Sequence, residues 1–434
     1  MITVIGAGLS GLSAAYHLGS DYIVLEREAE VGGLCRSVAT KGYVFDLAPH
    51  IFFTGNQYVS GLIDDLLHGD LVRQARRAYI YLKGTYVEYP FEVNLHGLPR
   101  ETIDECISGF KERGRTQPVN FLEWIHSTFG AGIAKHYMVP YNEKVWKYPL
   151  DQMNVDWIAG RVPTPSMDEM IRGAKEKVEK DYGPNAYFLY PRRGGIGAIA
   201  DALANRVGSI SLNSEAVEID SEDPEGVNVT YREDGGKKRT IKSDAVLSSM
   251  PLPEIVRIMR DAPNEVVEAS ERLVHNSLIC VNIGVDRPRI SDKHWLYFPE
   301  SEYVFNRISF PMNFSGETAP RGRSSILVEV TYRGTRPNLE ETKIKVREGL
   351  ITAGILREDD KIDVFDALDF KYAYVINDLD HGRNVAIIHD YLRGNRIHPM
   401  GRFGEWGYLN MDRSILSGRN AAEKIRVGVG CSQS

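Results

Sequence analysis

The stretch ITVIGAGLSGLSAAYHLGSDYIVLE, residues 2–26, decides the fold. It begins with the β-branched run ITVI and continues without a spacer into GAGLSG. The next segment, LSGLSAAYHL, has the pattern of a helix with small residues where it must lie close to a strand. YIVLE then predicts a second buried strand that ends in Glu26. This order of strand, glycine loop, helix, strand and acidic residue predicts a βαβ unit that binds a dinucleotide.

The residue types in this unit each have a physical role. Gly6 permits the tight turn, Gly8 lets the backbone approach a pyrophosphate, and Gly11 allows the helix to pack closely on the strand. The pyrophosphate would lie at the helix N-terminus, where free N–H groups and the helix dipole favour negative charge. Glu26 ends the second strand, where an acidic residue binds ribose hydroxyls.

A second glycine pair follows in EAEVGGLCRS, residues 28–37, which contains Gly32, Gly33 and then Arg36. A second place where backbone can approach the ligand, followed by a cation, suits FAD better than NAD, because FAD extends further across such a domain. The beginning of the chain resembles the amine-oxidase-like FAD superfamily. The resemblance implies FAD as the cofactor, with Gly33 and Arg36 among the residues that bind it.

The composition is that of an ordinary globular protein. The chain has 434 residues, 43% hydrophobic and 26% charged, which is long enough for two or three domains. Its net charge of −7 argues against a general surface for nucleic acid or anionic membranes, but leaves room for a local basic pocket. The four cysteines have neither CxxC nor zinc spacing and predict reduced thiols. Since the first strand begins at Ile2 and no apolar run approaches about eighteen residues, we expect a cytoplasmic protein without a membrane segment.

The sequence patterns divide the chain into three kinds of region. In the middle of the chain, helical runs such as ETIDECISGFKERG come first. Runs in which apolar and polar residues alternate, such as SLICVNIGVD and SSILVEVTYR, follow them. We therefore predict an α/β fold with a discontinuous Rossmann-like FAD-binding domain made of residues 1–88, 186–265 and 380–434. Residues 89–185 are predicted as an inserted helical domain, and residues 266–379 as an antiparallel β-sheet domain that binds substrate.

Aromatic residues and arginines recur in the inserted parts of the sequence. His50 lies in FDLAPHIFFT, residues 45–54, where a lone histidine is most simply explained as hydrogen-bonded in a packed turn. Each of the other aromatic residues and arginines, taken alone, also has a structural explanation. Together, however, cations and phenols can bind a diphosphate while aromatic rings stack on a base. The residues concerned are Tyr89, Tyr141, Asn142, Trp146, Arg161, Tyr297, Arg307, Arg402 and Tyr408.

Several internal segments resemble the UDP-galactopyranose mutase family, and most closely its eukaryotic branch. They include FDLAPHIFFT, VPYNEKVWKYP, GRVPTP, WLYFPE and GRFGEWGYLNMD, which a generic flavin oxidase has no reason to share. The resemblance implies an isomerase that interconverts UDP-galactopyranose and UDP-galactofuranose in the synthesis of cell-surface glycans. In that reaction N5 of reduced FAD acts as nucleophile at the anomeric carbon, with no net redox change. No metal is implied.

The resemblance also assigns roles to individual residues. His50, Arg161, Arg307 and Arg402 would be catalytic, with Arg161 and Arg307 on the substrate diphosphate. The residues implied at the uridine are Phe53, Tyr89, Asn142 and Trp146. Those implied at the phosphates and sugar are Tyr297, Tyr374, Tyr408 and Asn185. Those implied at the flavin, beyond the first glycines, are His50, Gly401, Arg402, Asn410 and Met411. Arg76 matches a position associated with recognition of NADPH, so NADPH or NADH is the implied reductant.

Two departures from the family keep alternatives open. Glu92 stands where a neutral Gln is usual near the uridine, and Asn410 stands where the bacterial branch carries Asp. A mutase for another UDP-sugar, such as UDP-N-acetylgalactosamine, is therefore an alternative. So is an FAD-dependent oxidase or desaturase of the amine-oxidase or protoporphyrinogen-oxidase type, and so is a flavin-bearing binding protein without catalysis. The sequence leaves a homo-oligomer open.

Overall fold

The computed structural model describes residues 1–114, 117–158, 162–176 and 186–431, with side chains to residue 426. The strands of these ranges are β1 (Ile2–Ile5), β2 (Tyr22–Leu25), β3 (Ser37–Thr40), β4 (Tyr43–Asp46), β5 (Leu71–Ala75), β6 (Ala78–Leu82), β7 (Thr85–Glu88), β8 (Tyr187–Pro191), β9 (Ile210–Ser211), β10 (Ser214–Asp220), β11 (Val227–Glu233), β12 (Lys238–Ser243), β13 (Ala245–Ser248), β14 (Val274–Val285), β15 (Trp295–Tyr297), β16 (Arg307–Ser309), β17 (Ser324–Tyr332), β18 (Ile362–Ile376) and β19 (Ile397–Pro399). The helices are α1 (Leu9–Leu18), α2 (Gln57–Leu67), α3 (Arg100–Glu112), α4 (Phe121–Ile133), α5 (Val139–Trp146), α6 (Met167–Gly173), α7 (Gly197–Ala204), α8 (Leu252–Ile258), α9 (Asn264–Glu271), α10 (Leu339–Thr352), α11 (His381–Gly394), α12 (Gly401–Gly404) and α13 (Met411–Cys431).

A five-stranded parallel sheet occupies the part of the molecule that contains the glycine-rich amino terminus. Its strand order is β19-β13-β1-β2-β9, so distant parts of the sequence meet in one sheet. All four residues of β1 are buried, as expected for a parallel sheet that is covered on both faces. Helices α1 and α13 pack against each other beside this sheet. The predicted α/β class with a Rossmann-like unit is confirmed.

A second, seven-stranded sheet has the order β18-β14-β17-β16-β15-β6-β7, and all its pairs are antiparallel except β15 with β6. One face buries an apolar cluster that α10 helps to form. On the other face Tyr297 pairs with Arg307, and Arg307 pairs with Glu329. Because directly paired residues point to the same face of a sheet, these three side chains stand in one row.

The sheets differ in one respect from the predicted division of the chain. Strands β6 and β7 lie within residues 1–88, but they belong to the seven-stranded sheet, because Ala78 pairs with Trp295. These two residues are far apart in the sequence, so the pattern of neighbouring residues does not reveal that they pair. The other predicted domain boundaries remain predictions.

Between β7 and β8 the described residues form helices α3 to α6 in that order, joined by turns and irregular segments. Helix α5 contains Pro140 in its first turn and ends before Lys147, whose φ of 51° is left-handed. This short helix matters for the site, because it carries Tyr141, Asn142 and Trp146. Within the described ranges, none of the helices combines the length and apolar character that are needed to cross a bilayer.

Candidate active site

The first glycine loop brings α1 into direct contact with the turn that follows β1. Gly6 has a φ of +95°, which side chains rarely permit. A β-carbon at Gly11 would lie 1.8 Å from the carbonyl oxygen of Gly6. The close approach expected of Gly11 is therefore present in the structure.

The second glycine loop lies beside the first. The amide of Gly32 donates to the carbonyl of Ala7 at 2.8 Å, and a β-carbon at Gly33 would stand 3.4 Å from the α-carbon of Gly8. Nε of Arg36 donates to the carbonyl of Gly33 at 3.0 Å. The two loops thus form a strip of backbone without side chains next to the N-terminus of α1. A pyrophosphate requires such a surface.

Glu26 is held at the end of β2, where a ribose contact is expected. Its Oε2 accepts from the amide of Ala7 at 2.7 Å, and its Oε1 accepts from the amide of Glu28 at 3.0 Å. Each carboxylate oxygen can accept more than one hydrogen bond, so a ribose hydroxyl can still be bound. These residues fit the adenosine half of a dinucleotide.

The segment at the start of α12 packs against α1 near the glycine loops. Gly401 has a φ of +74°, and a β-carbon there would lie 2.3 Å from Oγ of Ser10. Its amide donates to Oγ of Ser417 at 2.7 Å. Arg402 follows and donates from Nη1 to the carbonyl of Leu409 at 2.9 Å. Asn410 and Met411 come next in the chain, where α13 begins.

His50 is a neutral imidazole in this environment. Burial lowers its pKa to about 4, and the nearby cations of Arg402 and Arg307 act in the same direction. Nδ1 lies 2.8 Å from the carbonyl oxygen of Ala48 and must donate to it, because a carbonyl can only accept. Nε2 is therefore a hydrogen-bond acceptor at neutral pH.

Arg307 forms a buried ion pair that the sequence reasoning missed. Its Nε and Nη2 both donate to the carboxylate of Glu329, and the Nη2–Oε2 distance is 2.8 Å. Although burial disfavours the charge, Glu329 and Tyr374 keep the pKa of the guanidinium well above its usual value. Glu329 is completely buried in the apolar strand SSILVEVTY, where an acidic residue could have signalled a hidden partner.

Tyrosines surround this pair on the side of α5. The ring of Tyr297 lies 5.3 Å from that of Tyr141 and 5.8 Å from that of Tyr89. The guanidinium of Arg76 stands over the ring of Tyr89 at 4.6 Å. These rings provide flat apolar surface next to phenolic donors.

A second group of aromatic residues surrounds Arg402. Its guanidinium lies 4.6 Å from the ring of Tyr408 and 5.5 Å from that of Tyr374. The ring of Trp146 meets that of Tyr374 edge to face at 5.9 Å. Nε1 of Trp146 donates to Oδ1 of Asn142 at 3.0 Å.

The structure brings most of the predicted side chains together. Direct contacts or electrostatic interactions connect His50, Arg76, Tyr89, Asn142, Trp146, Tyr297, Arg307, Tyr374, Arg402 and Tyr408. Phe53 packs in the same apolar cluster as Tyr89 and Tyr297. Arg161 and Asn185 lie outside the described residues, so the second diphosphate cation and the sugar contact remain predictions. In the described part of the chain, no cluster of three or more histidine, cysteine or acidic side chains could hold a metal ion.

The chain belongs to the family of flavin containing amine oxidoreductases, whose model matches residues 9–358. Membership in this family implies an FAD cofactor, which the two glycine loops and Glu26 fit.

Within that family, the chain is similar to UDP-galactopyranose mutases. A crystal structure of reduced UDP-galactopyranose mutase has 27% sequence identity and a TM-score of 0.91, covering 99% of this chain and 95% of that one. The UDP-galactopyranose mutase of Mycoplasma pneumoniae is 27% identical over 175 residues, which is 37% of this chain and 43% of that protein.

Protoporphyrinogen oxidase 2 of Arabidopsis thaliana is 40% identical, but over 68 residues, or 15% of this chain and 13% of that protein. The chain thus aligns with less than half the length of either curated relative.

Proposed function

We propose that this protein is an FAD-dependent isomerase that interconverts UDP-galactopyranose and UDP-galactofuranose. One observation carries the proposal: Arg307 and Arg402 lie among Tyr297, Tyr374 and Tyr408, and Arg402 directly follows Gly401, which packs against Ser10 in the first turn of α1. Cations surrounded by phenolic donors suit a diphosphate, whereas an apolar substrate would bury their remaining N–H donors without an acceptor. The similarity to the reduced mutase over nearly the whole chain supports the same assignment.

In the proposed reaction the flavin carries the covalent chemistry. When FAD is bound in its reduced form, it supplies the nucleophile for the anomeric carbon. The residues that would hold it are Gly6, Gly8, Gly11, Glu26, Gly33, Arg36, His50, Gly401, Arg402, Asn410 and Met411. His50 would face the flavin as a neutral acceptor, because its Nδ1 proton is bound to Ala48.

The protein's own contribution is to bind and charge-balance the nucleotide. Negative charge develops on the diphosphate as it leaves the sugar, so cations there stabilise the transition state more than the bound substrate. Arg307 is prepared for this, because Glu329 fixes the orientation of its guanidinium before substrate arrives. Tyr297, the direct neighbour of Arg307 across the sheet, would donate its hydroxyl to a phosphate oxygen.

The remaining assignments complete the proposal. The uridine would bind Phe53, Tyr89, Asn142 and Trp146, while Arg161 and Asn185 would contact the diphosphate and sugar. The protein would act in the cytoplasm, and its product would enter a cell-surface glycan. The FAD-binding, helical and antiparallel-sheet domains keep the boundaries predicted above, except that β6 and β7 join the sheet.

A nicotinamide dinucleotide is the proposed reductant, with Arg76 at its phosphate. The guanidinium of Arg76 stands over Tyr89, a residue also proposed at the uridine, so reductant and substrate would compete for one place. An Arg76→Ala variant should be reduced more slowly by NADPH, yet at the normal rate by dithionite. Equal rates of reduction by NADPH in variant and parent would remove Arg76 from this role.

The second candidate function is that of an FAD-dependent oxidase. It is favoured by the short match to a protoporphyrinogen oxidase. An oxidase of that type would need an apolar path for its substrate. The ion pair of Arg307 and Glu329 beside the tyrosines would then have no role in binding that substrate.

The deciding experiment starts with anaerobic reduction of the purified flavoprotein by dithionite. UDP-galactofuranose is then added and the nucleotide sugars are separated by chromatography. Conversion to UDP-galactopyranose by reduced protein, and none by oxidised protein, is expected. Binding of UDP without conversion would move the search to other UDP-sugars. Failure to bind UDP, with production of hydrogen peroxide from an amine or porphyrinogen, would replace the proposal with the oxidase.

A further inference from the structure

The strand that carries Tyr374 contains an irregularity just before this residue. Strands β14 and β18 pair along most of their length, but the register shifts between Asn276 and Leu278. Asn276 is opposite Tyr374, whereas Leu278 is opposite Phe370, so three residues of β18 face the single residue Ser277 of β14. Such bulges interrupt the ladder of backbone hydrogen bonds and re-aim side chains.

The side chain of Asn276 repairs the ladder at this point. Its Oδ1 accepts from the backbone amide of Tyr374 at 3.0 Å. Its Nδ2 donates to the carbonyl of Val145 at 2.7 Å. Since the last carbonyls of a helix have no partner within the helix, Asn276 supplies a donor to one of them at the end of α5.

One buried amide therefore joins two elements that carry candidate site residues. On α5 the next residue after Val145 is Trp146, and on β18 the bonded residue is Tyr374 itself. The rings of these two residues meet edge to face at 5.9 Å, and Tyr374 also lies next to Arg402. Asn276 is completely buried and cannot touch a ligand. Its influence on the site must pass through the backbone that it holds.

We propose that Asn276 is a positioning residue that fixes Trp146 relative to Tyr374, and so sets the geometry with which the site binds a nucleoside diphosphate. The inference rests on the proposed function, because it needs these two rings to line the nucleotide site. The position requires a side chain with one donor and one acceptor on a short stem. An aspartate would keep the bond to Tyr374 but would place an oxygen against the carbonyl of Val145.

The strand offers a matched control in Asn282. This residue lies on β14 too, is 4% exposed, and is paired with Leu327 and Asp366 far from α5. The test compares Asn276→Ala, Asn276→Asp and Asn282→Ala as purified, flavin-loaded proteins. Three quantities are measured for each: the urea midpoint of unfolding, the dissociation constant for UDP by calorimetry, and single-turnover conversion of UDP-galactofuranose.

We expect Asn276→Ala to unfold at lower urea, whereas Asn282→Ala should change the urea midpoint little, because the buried Oδ1 of Asn282 has no hydrogen-bond partner among the described residues. Only the Asn276 variants should lose UDP affinity, by about tenfold, the size of one lost buried hydrogen bond. Their single-turnover rate at saturating substrate should also fall, with the flavin content unchanged. Equal UDP affinity in Asn276→Ala and Asn282→Ala would overturn the inference and leave the proposed function intact. If the parent protein does not bind UDP, the proposed function itself fails. Should Asn276→Ala not fold, Asn276→Asp is judged by the same comparison, and parent-like UDP affinity in it would refute the role.

Discussion

The buried carboxyl of Glu92 predicts that the stability of this protein depends on pH. Its side chain is 1% exposed, and its Oε2 has no hydrogen-bond partner within the described part of the chain. Tyr89 and Tyr137, which interact with it electrostatically, are neutral phenols. Burial raises the pKa of the carboxyl from 4.5 to about 7, against a smaller opposing effect of its own backbone amide.

The size of the effect on stability follows from this shift. A rise of between two and three pH units, at 1.36 kcal/mol each, corresponds to about 3 kcal/mol. The folded protein holds the proton more tightly than the unfolded chain does, so this stabilisation is fully present below pH 4.5. It decreases as the pH rises from there and is lost above about pH 7. Glu92→Gln has nearly the same shape without a titrating group, and should lack this dependence.

The assay is urea unfolding of the parent, Glu92→Gln and Glu112→Gln at intervals between pH 5 and pH 8.5. Glu112 is exposed at the end of α3, and its replacement should leave the pH profile of the parent unchanged. The free energy of unfolding of the parent should fall relative to that of Glu92→Gln by about 2.5 kcal/mol over this range, because a small part of the effect is already lost at pH 5. Parallel profiles for the parent and Glu92→Gln would show that the carboxyl is charged and paired, and that the reasoning from burial is wrong.

Two further predictions concern the ion pair and the glycine loop. Arg307→Ala should lose about 3–5 kcal/mol of stability, because Glu329 stays buried without a partner, and about two to four powers of ten in turnover. Arg287→Ala breaks another two-point pair, with Asp360, just beyond the end of β14 and ahead of β18, and should keep its turnover; equal turnover in both variants would contradict the role of Arg307. Gly11→Ala should not retain flavin, as judged by its absorbance after gel filtration, because a β-carbon there meets a backbone oxygen at 1.8 Å. Gly61→Ala, where nothing lies within 4 Å, should bind flavin normally.

The parts of the fold that could be predicted are those encoded by neighbouring residues. The turn at Gly6, the helix that starts at Leu9 and the acid at Glu26 lie within one short stretch, so their spacing alone indicates the βαβ unit. Alternation in SSILVEVTYR likewise predicts the strand β17, but the exposed face that it also predicts is absent, because all residues of β17 except Tyr332 are buried. In both cases the physical cause acts over a few residues.

The parts that could not be predicted depend on register between distant strands. The resemblance predicts Arg307 at the diphosphate, but its partner Glu329 follows 22 residues later and is found only when β16 and β17 are aligned. Asn276 gave no signal, since an asparagine in an apolar strand has many structural explanations. The neutral state of His50 also depends on burial by distant segments and on cations more than 250 residues away.

The row formed by Tyr297, Arg307 and Glu329 has a consequence for how this sheet tolerates changes in chain length. Because side chains alternate between the faces of a strand, one residue inserted within β16 ahead of Ser309 would turn Arg307 towards the apolar cluster and separate it from its carboxylate. Residues added to the exposed turn at 321–322, between β16 and β17, would not change the alignment of the strands. A fluorescent or affinity peptide placed there should report on the protein without altering its chemistry. Insertion of one residue within β16 should inactivate the protein, whereas insertion of two returns Arg307 to its own face of the sheet and should restore part of the activity.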